Sequence, residues 1–178
     1  MDPSTGSGQA TSTGVARAGG APGTVLRTSF NERSGRFSPD GRWVAYQSNA
    51  SGRTEIYVRP WTLPAAAGAA APAPSAQWQV STAGGFVPVW RADGQALYYL
   101  SPDGAMMAAP VTRLGTALEP GTPVALFPTR IVGGGVDSGV GPQYDVTRDG
   151  RFLINTVLDD AAATPITLIL NWRPEGRP

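Results

Sequence analysis

The sequence predicts an all-β chain: a segment of a β-propeller with about three four-stranded antiparallel blades, the last lacking its outer strand. Three observations predict it. One pattern occurs three times, as Phe37-Ser38-Pro39-Asp40-Gly41-Arg42-Trp43-Val44-Ala45-Tyr46, as Trp90-Arg91-Ala92-Asp93-Gly94-Gln95-Ala96-Leu97-Tyr98-Tyr99 and as Val146-Thr147-Arg148-Asp149-Gly150-Arg151-Phe152-Leu153-Ile154. The Asp-Gly steps fall 53 and then 56 residues apart, a period that marks propellers, solenoids and arrays. Between the steps lie short β-favouring runs broken by turn residues. A repeat of this size cannot bury its own faces and must lean on its neighbours.

Each element has a local reason. Residues 1–22 are Gly, Ser, Thr and Ala with little to bury, which predicts a flexible tail ahead of a partial propeller over 23–178. The run 24–30 is β-favouring and reads as a lone first strand. Blade one is expected over about 34–82. Its strands are 35–38, 42–48, 54–61 and 77–82, with turns at Pro39-Asp40-Gly41 and Asn49-Ala50-Ser51-Gly52. In such turns Asp bonds its own backbone and Gly accepts positive φ. The strand 42–48 is apolar on both faces, as a strand covered on both sides must be. The Ala/Pro stretch 63–75 reads as a loop, because Pro64, Pro72, Pro74 and Gly68 oppose a helix.

Blade two, over 86–128, repeats the order with strands 87–91, 95–100, 105–111 and 123–128. Pro102-Asp103-Gly104 takes the place of the Asn49 to Gly52 turn, and 112–122 reads as an inserted loop. Blade three, over 142–172, has strands 143–147, 151–157 and 165–172, a turn at 159–164, and a Gly-rich loop before it at 133–141. With the lone first strand this makes twelve strands. Three blades are too few to close a ring, for which about four is the usual minimum. Either the chain is part of a longer propeller, or two copies form a homodimer that closes a six-bladed ring, each giving its first strand to the other's last blade.

Composition removes much chemistry. The net charge is +1, which supplies no field for nucleic acid or anionic membranes. Cys and His are absent, so thiolate chemistry, disulfides, Ser-His-Asp triads and His-ligated metals are excluded. All 14 basic residues are Arg, so Schiff-base catalysis and a Walker A lysine are excluded too. With the all-Arg bias, 23 Gly and 17 Pro lead to the expectation of a GC-rich bacterial source. No run approaches the roughly 18–20 apolar residues that span a bilayer, so no direct membrane insertion is expected. The polar start Met1-Asp2-Pro3-Ser4 has no signal-peptide core.

The run from Phe37 to Tyr46 resembles the WD40-like PD40 repeat of TolB-type propellers. Thr28-Ser29-Phe30-Asn31-Glu32, Ile56-Tyr57-Val58-Arg59-Pro60-Trp61, Trp78-Gln79-Val80-Ser81-Thr82-Ala83-Gly84-Gly85 and Pro165-Ile166-Thr167-Leu168-Ile169-Leu170-Asn171-Trp172 are similar to the C-terminal propeller of bacterial serine/threonine kinases and related signalling proteins. The resemblance spans about 24–172. It implies a sensory or partner-binding propeller outside the membrane, carried by a membrane-anchored parent and therefore extracytoplasmic. The chain has no kinase Gly-rich loop, catalytic Lys or His-Arg-Asp, so catalysis does not carry over.

The candidate residues divide into turn formers and contact formers. Asp40, Gly41, Asp93, Gly94, Asp149 and Gly150 read as structural turns, too scattered to share a metal, and Asp159-Asp160 as a solvated turn. No calcium-loop spacing occurs, no Gly-x-Ser-x-Gly elbow occurs, and no cofactor is expected. Trp43, Trp61, Trp78, Trp90 and Trp172 read as core. Tyr98-Tyr99 puts one ring on each face of a strand, so one can reach a channel or rim. Arg36, Arg91 and Arg148 flank the repeated turns and, with Tyr99, are the candidates for contact with a protein or peptide partner. Three functions fit such a chain: a non-enzymatic binding module, the gating propeller of a prolyl-oligopeptidase-like peptidase, or a self-assembling structural unit with unpaired sheet edges.

Overall fold

In the computed structural model the described residues are 12–15, 23–61, 76–114, 117–131 and 142–156. They are all-β, with antiparallel sheets of four, five and two strands and no closed barrel. Strands β1 (Ser12–Val15) and β2 (Gly23–Arg27) form one antiparallel pair. The first sheet is a meander of β3 (Glu32–Phe37), β4 (Trp43–Ser48), β5 (Glu55–Pro60) and β6 (Trp78–Gln79). The second runs β7 (Phe86–Trp90), β8 (Ala96–Leu100), β9 (Ala105–Leu114). Along the end of β9 lies β10 (Ala117–Pro120), and along its beginning β11 (Val124–Pro128). The third sheet is the hairpin of β12 (Tyr144–Val146) and β13 (Phe152–Ile154), followed by a bridge from Thr156 to Ile131.

Among the described residues the expected strands appear in the expected order, with three differences. The strand at 24–30 is β2, which ends at Arg27 and pairs with β1 instead of standing alone. Strand β1 itself lies inside the stretch expected as a tail; an extended segment leaves a row of amide groups to satisfy, and a second one answers it. The 112–122 segment expected as a loop contains β10, so β9 runs three residues past the expected 111. Finally, the first sheet begins at Glu32 rather than 34, and its fourth strand is two residues long. The expected features at 63–75, 133–141, 159–164 and 165–172, Trp172 among them, lie outside the described residues.

The core follows from register. The pairs Trp43↔Pro60, Ala45↔Val58 and Gln47↔Ile56 place Trp43, Ala45, Ile56 and Val58 on one face of the first sheet. The pairs Leu97↔Ala109 and Tyr99↔Met107 do the same on the second. These two faces meet in one buried cluster with Trp90, Val111 and Leu118. The opposite face of the second sheet, with Tyr98, Leu100 and Met106, packs on Tyr144, Phe152 and Ile154 of the third. A third cluster of Val44, Tyr46 and Tyr57 buries the far face of the first sheet. The middle sheet is therefore covered on both sides, and β4 and β8 are buried at every residue, which is why neither alternates. Each large side chain so buried contributes roughly 1.5–3 kcal/mol.

One residue decides how the third sheet faces. In the first two hairpins the closing bonds run from Ser38 N–H to Trp43 C=O and from Arg91 N–H to Ala96 C=O. In the third the bond runs from Thr147 N–H to Arg151 C=O, one residue tighter. A one-residue change sends a whole strand's side chains to the other face. Phe152 and Ile154 accordingly turn toward the second sheet, and Leu153 is left 71% exposed.

Candidate functional site

The repeated Asp-Gly steps are turns in the structure. Gly41, Gly94, Gly104 and Gly150 all have positive φ, from 68° to 84°. Each donates its N–H to the carbonyl three residues earlier, at 2.8–3.0 Å. The carboxylates are used inside their own turns. Asp40 accepts from Ser38 Oγ at 2.6 Å, and Asp93 from Arg91 Nε at 2.8 Å and the Gln95 amide at 2.9 Å. Asp103 accepts from Ser101, and Asp149 from Thr147 and from Arg151 Nε at 2.9 Å. The Arg91 bond holds the Asp93 carboxyl below its ordinary value, the Ser101 hydroxyl does so for Asp103, and the Thr147 hydroxyl for Asp149. At Asp40 burial pushes upward, but the Ser38 hydroxyl, the Arg42 amide and Arg113 outweigh it and the net direction is down. Among the described residues no group of three acidic side chains is placed to hold a metal.

Arg113 ties two of these turns together. From the end of β9, its Nη1 bonds Asp40 Oδ2 at 2.9 Å and its Nη2 bonds the Gly94 carbonyl at 3.0 Å. Sequence reasoning missed it because 112–122 reads as a loop. A signal was present: Leu114 pairs with Ala117, so the strands are joined by the two residues Gly115-Thr116, a hairpin-length connection containing Gly. A buried carboxylate was missed as well. Glu55 is fully buried and accepts from Arg53 Nε at 2.6 Å, from the Gly84 amide at 3.0 Å and from Ser81. Its bonds tie the β4–β5 turn to the β6–β7 connection, leaving it no free oxygen for chemistry.

A groove of about 740 Å³ opens on the outer half of the second sheet. Its floor is Ala96, Tyr98, Ala108 and Pro110, one wall is Val124 and Leu126 of β11, and Arg91, Asp93 and Arg113 stand at its edge. Val124 and Leu126 are exposed. Arg91 is paired to Asp93 at 2.8 Å and Arg113 to Asp40 at 2.9 Å, so these edge cations are already neutralised. Of the two tyrosines, Tyr98 is the one in the groove. Tyr99, the candidate for partner contact, is 3% exposed in the core between the first two sheets, and burial together with nearby Glu55 pushes its hydroxyl up to about 12.

A second, smaller pocket of about 320 Å³ lies at the inner strands. Arg36 of β3 meets Gln143, Tyr144, Asp145, Leu153 and Asn155 of the third sheet there. The inner strands carry a repeated irregularity. Ser34 and Val87, 53 residues apart, both have positive φ, 55° and 52°, at register shifts of β3 and β7. Positive φ is a genuine strain for β-branched Val. Val87 is held in it from both sides: its N–H donates to Gln47 Oε1 of the first sheet at 2.9 Å, and its carbonyl accepts from the Tyr144 hydroxyl of the third at 2.6 Å. Burial drives the Tyr144 hydroxyl far upward, so it stays a donor.

Of the expected contact residues, Arg91 and Arg36 line different pockets, Arg148 is exposed in the β12–β13 turn, and Tyr99 is inaccessible. Trp43 and Trp90 are core, with Trp78 packed on Trp43 at 5.5 Å and Trp61 on the third cluster. No protein-family model matches the chain, and no curated protein matches it at a significant level.

Proposed function

We propose that the chain is a propeller-type repeat module that binds a protein or peptide partner by docking, with no bond chemistry of its own. The observation that carries this is the open groove over Tyr98, Val124 and Leu126. Its apolar floor is the outer part of the face whose inner part, with Tyr98, Leu100 and Met106, is covered by the third sheet. Its edge charges are matched within the chain, so the fitting partner is an uncharged, extended segment with alternate apolar side chains. Among the described residues β11 pairs with β9 alone, which leaves an edge along which such a segment could add as a strand.

Serial stacking supports the propeller architecture. A two-layer sandwich covers one face of each sheet, whereas here the middle sheet is covered on both. The resemblance of Phe37 to Tyr46 to the PD40 repeat is the reason to set the module in a bacterial signalling protein, outside the membrane. The test is to select binders from a random peptide library against the full chain. Uncharged extended peptides whose affinity falls about tenfold or more with Leu126→Asp would bear the proposal out. No enrichment, or binders indifferent to Leu126→Asp and Val124→Asp in a folded chain, would overturn it.

A further inference from the structure

We infer that the pocket at the inner strands is a carboxylate-recognition site, with Arg36 as the anchor for a peptide end that presents one carboxylate beside an amide N–H. This deepens the partner-binding proposal and rests on it. The first observation is the state of Arg36. Its backbone is fixed, since its carbonyl accepts the Trp90 indole N–H at 3.1 Å. Its guanidinium is exposed in the pocket and makes no hydrogen bond or ion pair among the described residues. Arg91, Arg113 and Arg151, which also stand at or against the repeated turns, are paired to Asp93, Asp40 and Asp149. An anchored backbone with a free planar head suits bidentate capture of a carboxylate.

The second observation is the repeat itself. Arg36, Val89 and Asp145 each stand four residues before the Asp of the Asp-Gly step, at Asp40, Asp93 and Asp149. They are therefore one register position on three inner strands, β3, β7 and β12. The period has placed a cation and an anion at matching positions and brought both to one pocket. One carboxylate oxygen of Asp145 accepts from the Val146 amide at 2.8 Å. With Asp145 beside it the site is neutral overall, which favours a single carboxylate flanked by an N–H donor over a multiply charged phosphate.

The walls are preorganised. Tyr144 is clamped to Val87, and Asn155 bonds Gln143 through its side chain at 3.3 Å and its backbone at 2.9 Å. Exposed Leu153 supplies an apolar patch for the terminal side chain. The volume is at the small end of the range of about 300–1,000 Å³ for ligand pockets. Register shifts such as the one just before Arg36 recur where a strand must re-aim a side chain.

The test is fluorescence anisotropy with the full chain and three labelled peptides: Ala-Ala-Ala-Leu with a free C-terminus, the same peptide amidated, and amidated Ala-Ala-Asp-Ala. The free-acid peptide is expected to bind about tenfold more tightly than its amide. Arg36→Gln should erase that difference without moving the unfolding midpoint, and Arg148→Gln should leave it intact. Arg36-dependent binding of the internal Asp peptide in place of the free acid would assign the carboxylate to a side chain and keep the site. Equal binding of acid and amide, or an acid peptide indifferent to Arg36→Gln, would overturn the inference. Library binders lost with Leu126→Asp but unmoved by Arg36→Gln would overturn it too, while leaving the groove proposal standing.

Discussion

The second and third sheets are built on the same Asp-Gly turn and end in different environments. The second has a neighbouring sheet on each face, with the groove left at its outer part, and Leu97 and Leu100 are fully buried. The third covers one face with Phe152 and Ile154, and its other face carries Leu153 at 71% exposure. Local turn chemistry is nearly identical in the two; what differs is one residue of hairpin length and, among the described residues, a neighbour on the second face. A repeated sequence motif thus guarantees a hairpin and says little about what that hairpin supports.

The largest test of this contrast uses one substitution in both sheets. Leu97→Ala should cost about 2–5 kcal/mol, because it empties a packed position between two sheets. Leu153→Ala should stay within about 0.5 kcal/mol. Urea unfolding followed by tryptophan fluorescence measures both, and equal losses would mean that the third sheet has a covering neighbour on its far side.

Next in size are the turn glycines. Gly94 and Gly150 both have positive φ, but a Cβ on Gly94 would overlap the Arg113 guanidinium, while one on Gly150 meets nothing within 4 Å. Gly150→Ala should cost only the conformational penalty of roughly 1–2 kcal/mol. Gly94→Ala should cost more, since it also displaces Arg113 from the Gly94 carbonyl and from Asp40. Repeating both in an Arg113→Ala background should bring the two costs together; a gap that persists would remove Arg113 as its cause.

The smallest effect is electrostatic. Asp93 and Asp149 have carboxyls held below the ordinary value of 3.8 by hydrogen bonds from Arg91 and Thr147. A lowered folded pKa contributes stability above the unfolded value and loses it as pH falls through the folded one. Unfolding midpoints should therefore be level above about pH 5 and decline below 3.8, toward the lowered values. Asp93→Asn and Asp149→Asn should each flatten the decline slightly, as solvent screens both groups. A midpoint that rises on acidification would contradict the direction.

Much of the fold was legible because strands and turns obey short-range rules. Asp-Gly at each step, the short β-favouring runs between them and the apolar residues on both faces of 42–48 located the hairpins without any tertiary information. Less of the candidate sites was legible. Arg36 and Arg91 were singled out for flanking the turns; Arg91 is paired by Asp93 two residues on, a local contact, whereas only the packing of sheets brings Arg36 to the third sheet. Tyr98 and Tyr99 differ in nothing local; both are buried, and the neighbouring sheets decide that Tyr98 borders the groove while Tyr99 is enclosed between the first two sheets.

By itself the amino-acid order determined the class, the direction changes and their period, since steric limits on φ and the pairing needs of extended backbone act within a few residues. Folding in three dimensions decided the rest: the Arg113 bridge to Asp40, the clamp of Tyr144 on the strained Val87, and the meeting of Arg36 with Asp145. Those depend on which faces touch across more than fifty residues of chain. No short window of sequence encodes such contacts, because each is the joint product of several sheets packing at once.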